Sequence, residues 1–190
     1  MESDFGVILI GASATGKSVA AAALQAAGEV ELQPTYTTRA RRKAELGSNT
    51  CDHIFISDEV FTRYESLGQF IAVTTLYGSR YGVPLPETSS SAIPLYVLKP
   101  NLVEPVKARL PCFRTYQLEA SEATVRRRMQ ERGQDRADIS ERLRLHALET
   151  AMGRRLADHI IRNEGPLEQT VSLLSRQITA DQAAQAQMLQ

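Results

Sequence analysis

Phe5-Gly6-Val7-Ile8-Leu9-Ile10 runs straight into Gly11-Ala12-Ser13-Ala14-Thr15-Gly16-Lys17-Ser18, and an Ala-rich segment carrying Leu24 follows as far as Gly28. The first six residues are almost wholly apolar and rich in branched side chains, the composition of a strand covered on both faces of a parallel sheet. The next eight fit the phosphate-loop pattern of glycine, four residues, then Gly-Lys-Ser. Two glycines let the chain turn so that successive N–H groups face one anion. The helix predicted from Lys17 to the glycine stop adds the positive end of its dipole. Lys17 is then placed to reach the β- and γ-phosphates of ATP and Ser18 to ligate Mg²⁺. A chance match on a flexible loop is the alternative, and the strand before and helix after argue against it. Gly11, Ala12, Ser13, Ala14, Thr15, Gly16, Lys17 and Ser18 are the expected ATP site, with Ser18 the expected metal ligand.

Working outward, the second half repeats the strand-helix rhythm. Ile93 to Leu98 reads as a strand, after which Leu102, Val103, Val106 and Leu110 share a helical face. Phe113 to Ala120 is a second strand, with Ser121 and Glu122 opening a helix that carries Val125 and Met129. Past Gly133 the pattern resumes at Ile139, Leu143 and Ala147. A short strand at His159-Ile160-Ile161 follows, then a helix with Leu167, Val171, Leu174 and Ile178. Alternation of this kind predicts an α/β fold: a P-loop core of parallel strands with helices on both faces. Residues 5–34 and 92–178 form that core within one domain spanning 1–178. Residues 35–91 break the rhythm and read as an insertion over the sheet edge, and 179–190 as a frayed helical tail.

Composition sets bounds. With 190 residues, 43% hydrophobic, the chain can bury a core, and 22 basic against 22 acidic residues leave no net charge to attract nucleic acid or an anionic membrane. Any anion must be bound locally. No run reaches the roughly 20 apolar residues of a membrane helix. Acidic Glu2 and Asp4 do not resemble a secretory leader, so the cytoplasm is the expected compartment. Cys51 and Cys112 lack metal-ligand or redox spacing and read as ordinary thiols. Local cation clusters do exist: Arg39, Arg41 and Arg42 after Thr37-Thr38, and Arg126, Arg127, Arg128 and Arg132 before Gly133. Each is either a solvated face or a phosphate grip. An Arg-rich segment beside a glycine also suits a lid that closes over transferring phosphates.

Taken together, the phosphate loop, TTRARRKAE at 37–45, Tyr81-Gly82, RRRMQERG at 126–133 and ISERL at 139–143 resemble the guanylate kinase family. The resemblance spans about residues 5–178. It implies an ATP-holding core, an acceptor-binding insertion at 35–91 and a lid at about 126–142. It further implies that Arg39 and Arg42 grip the acceptor's phosphate with Tyr81 assisting, that Arg128, Arg132 and Arg142 contact the transferring phosphates with Lys17, and that Asn163 lies near the adenine. His53 takes the position of a phosphate-binding tyrosine, with a strand-end histidine as the plain alternative. Departures are informative: Ala72 replaces the glutamate that reads guanine, Val83 replaces a hydroxyl residue, and Leu98-Lys99-Pro100-Asn101 replaces an acidic strand end. Asp52-His53, Ala72, Tyr81-Gly82-Val83 and Asn163-Glu164-Gly165-Pro166-Leu167 are closer to the ribose 1,5-bisphosphate phosphokinase branch. The expected partner is a small phosphate-bearing acceptor, with no nucleic acid or membrane, and a homodimer is left open. Guanylate kinase or other nucleoside monophosphate kinase activity and a non-catalytic guanylate-kinase-like interaction domain are the competing expectations.

Overall fold

A computed structural model describes residues 5–41, 52–76, 78–87 and 92–188. Strand β1 (Gly6–Ile10) is buried along its whole length. It pairs in parallel with β7 (Ile93–Val97) on one side and β8 (Phe113–Glu119) on the other. Strands β2 (Val30–Leu32) and β9 (His159–Arg162) extend the sheet to the order β2-β7-β1-β8-β9. The predicted buried parallel strand is therefore the central one.

Alternation along β1 divides the core. Val7 and Leu9 join Ala20, Ala21 and Leu24 of α1 (Lys17–Ala26) and Leu174 and Ile178 of α6 (Leu167–Met188). Ile8 and Ile10 point the other way, toward Val103 and Val106 of α3 (Val103–Arg109), which follows a 3-10 turn at Pro100–Leu102. Helices thus cover both faces, as the alternating pattern predicts. Among the described residues no helix is long and apolar enough to cross a membrane.

The insertion is a second sheet. It has the order β4-β3-β6-β5, from β3 (Thr35–Thr37), β4 (His53–Phe55), β5 (Ala72–Leu76) and β6 (Ser79–Val83). Helix α2 (Asp58–Ser66) lies alongside, and Ser57 accepts from Val60 N–H as its N-cap. Rather than covering a strand edge, the insertion buries Ala72, Tyr81 and Val83 in the same cluster as Ile8 and Ile10. It completes the face that α3 only half covers.

Helices α4 (Glu122–Glu131) and α5 (Arg136–Leu156) are joined by a turn in which Gly133 has φ 67°, and Asp135 caps α5 through Asp138 N–H at 2.8 Å. Val125, Met129, Ile139 and Leu143 give this pair its own small core. The expected frayed tail is corrected. Helix α6 runs unbroken to Met188, and Asp181 accepts from Tyr116 Oη and from Gln177 at 3.2 Å and pairs with His159 at 2.8 Å. Its composition hides this, because the docking uses a single acid and small residues.

Candidate active site

The loop between β1 and α1 holds its shape through named bonds. Gly11 has φ 146°, and a Cβ there would strike the Leu118 carbonyl of β8. Gly16 has φ 100°, where a Cβ would land on the Asn163 amide. Ala14 is the one non-glycine residue with positive φ among those described, at 60°, a strain of about 1 kcal/mol that clusters at functional loops. Thr15 Oγ1 donates to Ala12 O at 2.9 Å. Asn163, buried after β9, donates from Nδ2 to Thr15 O at 2.8 Å and accepts from Thr170 at 3.0 Å. Arg128 reaches across from α4 to Asn163 O at 3.0 Å and Thr15 O at 3.3 Å.

Lys17 folds back on the same loop, its Nζ donating to Gly11 O and Ala12 O at 2.8 Å each. Desolvation beneath the loop, reinforced by the neighbouring Lys99 ammonium, pulls its pKa from 10.5 down to about 7. A polyanion arriving here restores the charged form.

A cavity of about 160 Å³ opens in front of Lys17. The loop contributes Ser13 and Ser18, the inserted sheet Arg39, His53 and Tyr81, and the α4–α5 segment Arg132 and Arg142. Three separate parts of the chain therefore face one space. His53 Nδ1 is 2.6 Å from Thr35 Oγ1, and its ring stands edge-on to Tyr81 at 5.8 Å. The Arg39 guanidinium lies 5.2 Å from the Phe55 ring and donates to Ala40 O at 2.8 Å. Arg128 and Asn163 are not in this cavity. They line an adjoining one of about 270 Å³ with Leu167, and Gly16, Val19 and Arg132 border both. Arg126 and Arg127 are surface groups, paired along α4 with Glu122 and Glu131. Arg42 lies outside the described residues.

Several lining residues carry no role in the sequence reading, among them Asp52, Lys99 and Gln134. Asp52 accepts from Ser18 Oγ at 2.9 Å, tying the inserted unit to the phosphate loop. Lys99 follows the end of β7 by two residues, beside Lys17, and Gln134 enters from the α4–α5 turn. Lys99 was within reach of sequence reasoning, because ligands of open parallel sheets sit at the carboxyl ends of strands. Asp52 was not, since its contact spans 34 residues. Mg²⁺ takes hard oxygen ligands and keeps several waters, so the Ser18 hydroxyl and Asp52 carboxylate fit it as partial ligands beside substrate phosphates. Among the described residues no group of three or more His, Cys, Asp or Glu offers a protein-only cage.

No family profile matches the chain. A guanylate kinase from Chromobacterium violaceum is 36% identical over 80 residues, which cover 42% of this chain and 37% of that relative. The crystal structure of guanylate kinase from Anaplasma phagocytophilum superposes with a TM-score of 0.72 over 96% of this chain and 88% of that one, at 22% identity. The shared fold embraces the inserted sheet and the α4–α5 pair as well as the parallel core. The chain therefore has the guanylate kinase fold, and a segment of 80 residues, spanning little more than a third of that curated relative, is similar to a guanylate kinase in sequence.

Proposed function

We propose that this protein is an ATP- and Mg²⁺-dependent phosphotransferase whose acceptor is itself a phosphate, converting ribose 1,5-bisphosphate to phosphoribosyl diphosphate. The observation that carries this reading is the convergence of Lys17 and Ser18, Arg39 and Tyr81, and Arg132 and Arg142 on one cavity. An oxygen of the acceptor phosphate attacks the γ-phosphorus in line, the bond to the β,γ-bridging oxygen breaks, and ADP leaves. Lys17 exchanges its loop carbonyls for phosphate oxygens, and Arg132 and Arg142 stabilise charge on the transferring group. Bound Mg²⁺ would add further neutralisation of the β- and γ-phosphates from the side of Ser18 and Asp52.

Two residues of the inserted sheet bear on the acceptor from outside the cavity lining, in the apolar cluster that shares Tyr81, Leu98 and Leu102 with it. Ala72 pairs with Val83 across β5 and β6, and both are buried in the apolar cluster with Tyr81, Tyr96 and Leu98. Guanine offers two N–H donors along one edge, and neither residue can accept them. Each buried unsatisfied donor costs about 1–3 kcal/mol, so two correspond to roughly 30-fold or more in specificity. A sugar phosphate makes no such demand. The second reading, guanylate kinase, is favoured by the 36% identical segment, and Asn101 donates at 2.5 Å to Thr74, two residues along β5 from Ala72. The test is ADP release with ribose 1,5-bisphosphate, GMP and other nucleoside monophosphates. The highest kcat/KM is expected for the sugar bisphosphate; a preference for GMP overturns the acceptor assignment, and silence across the panel overturns the enzyme.

A further inference from the structure

The cavity holds more positive charge than transfer to a single phosphate requires. Lys17, Arg39, Lys99, Arg132 and Arg142 line it, against one carboxylate, Asp52. Lys17, Arg132 and Arg142 serve the transferring phosphates in the reading above, and Arg39 grips one acceptor phosphate from the inserted sheet. Lys99 has no part in that scheme. It enters from the core side, at the end of β7, beside the apolar wall of Val97, Leu98 and Leu102. Its one ionic partner among the described residues is Glu149 of α5 at 3.7 Å, too long for a hydrogen bond. An ammonium held loosely by a distant carboxylate, in a cavity already crowded with cations, is poised to trade that carboxylate for an anion. Its repulsion of Lys17 has the same remedy.

We infer that Lys99 anchors a second phosphate of the acceptor, so that the site selects a sugar bisphosphate over a sugar monophosphate, with Arg39 and Lys99 holding the two phosphates from opposite structural units. This rests on the phosphotransferase reading for its context and deepens it by naming a specificity-determining residue. Glu149 is the internal competitor that the second phosphate displaces.

Calorimetry on the ADP-loaded protein tests the idea without turnover. Ribose 1,5-bisphosphate and ribose 5-phosphate are titrated into the unmodified protein and into Lys99→Met and Lys99→Arg. The unmodified protein should bind the bisphosphate about tenfold or more tightly than the monophosphate, the advantage of a charge-assisted bond. Lys99→Met should bring the two affinities together, Lys99→Arg should keep most of the difference, and ADP affinity should not fall in either, since loss of the Lys99 charge only favours the charged form of Lys17. Glu149→Gln gives a second arm that does not touch Lys99: it should tighten the bisphosphate selectively. Lack of discrimination by the unmodified protein, an equal loss for both sugars in Lys99→Met, or a fall in ADP affinity overturns the assignment. Failure of the wider reading looks different. Discrimination with no ADP release from ATP removes the kinase and leaves Lys99 in place, whereas turnover without discrimination removes Lys99's role alone.

Discussion

Lys17 donates to two carbonyls of its own loop and is desolvated there, which should give the proposed ATP binding a pH signature. Its pKa of about 7 means that above neutrality the free site increasingly holds the neutral amine. Phosphate oxygens favour the ammonium, so binding draws a proton from solvent and affinity falls as pH rises, by up to about tenfold per unit. Calorimetry at pH 8 in two buffers of different ionisation enthalpy should show proton uptake with ATP, and Lys17→Met should abolish it; no uptake in the unmodified protein would refute the assignment. Asn163 acts on the same loop from below. Asn163→Ala leaves the Thr15 carbonyl short of its donor and should lower stability by about 1–3 kcal/mol and weaken ATP, while the sugar acceptor binds as before. Thermal melts and separate titrations of the two ligands decide this.

At the scale of elements, the turn joining α4 to α5 carries Arg132 on its exposed side, with glycine at φ 67° immediately after. An arginine at such a joint can serve the transition state without serving ground-state ATP. Arg132→Ala should therefore lower kcat by about 10²-fold with ATP affinity nearly unchanged. Equal losses in ATP affinity and kcat would show Arg132 to be an ordinary nucleotide contact. The elements also mark where sequence was readable. The β1–loop–α1 unit was legible because strand burial, glycine geometry and the helix all fall within residues 5–28. Strands β2 and β3, three residues each, are too short for any period and owe their pairing to β7 and β6. The tail was misread for want of charge and branched residues, although Asp181 docks it on Tyr116 and His159. Within the site, the loop and its arginines followed from local pattern and family resemblance. Asp52 is set by packing between distant segments, which spacing along the chain does not encode, whereas Lys99 could have been read from its place just past the carboxyl end of β7.

In the proposed reaction the core and the inserted sheet hold two substrates in line, which requires a stiff base to the insertion. Gln33 leaves β2 at the point where the chain crosses into the second sheet. It is 4% exposed, its Oε1 accepts from Glu87 N–H at 2.9 Å, and its Nε2 donates to Glu87 O at 3.3 Å. One side chain thereby reproduces both bonds of a strand pair between the outgoing and returning connections. Tyr96 Oη, donating to Pro84 O at 2.6 Å, fixes the returning segment a second time from β7. Gln33→Ala strips Glu87 of both partners and should cost about 1–3 kcal/mol, lowering Tm by roughly 2–4 °C for each kilocalorie in a chain of this size. Loosening at the base is transmitted to Arg39, His53 and Tyr81, whereas the phosphate loop is built on β1 and α1 and does not share these bonds. The acceptor KM should then rise severalfold while the ATP dissociation constant stays fixed, because misplacement of a whole unit degrades orientation at the reacting atoms. Gln33→Glu separates stability from geometry: its carboxylate still accepts from Glu87 N–H but cannot donate to Glu87 O, so an intermediate acceptor KM is expected. If Gln33→Ala lowers Tm and changes both substrates in parallel, the two sheets move as one body and the strap has no part in positioning the acceptor.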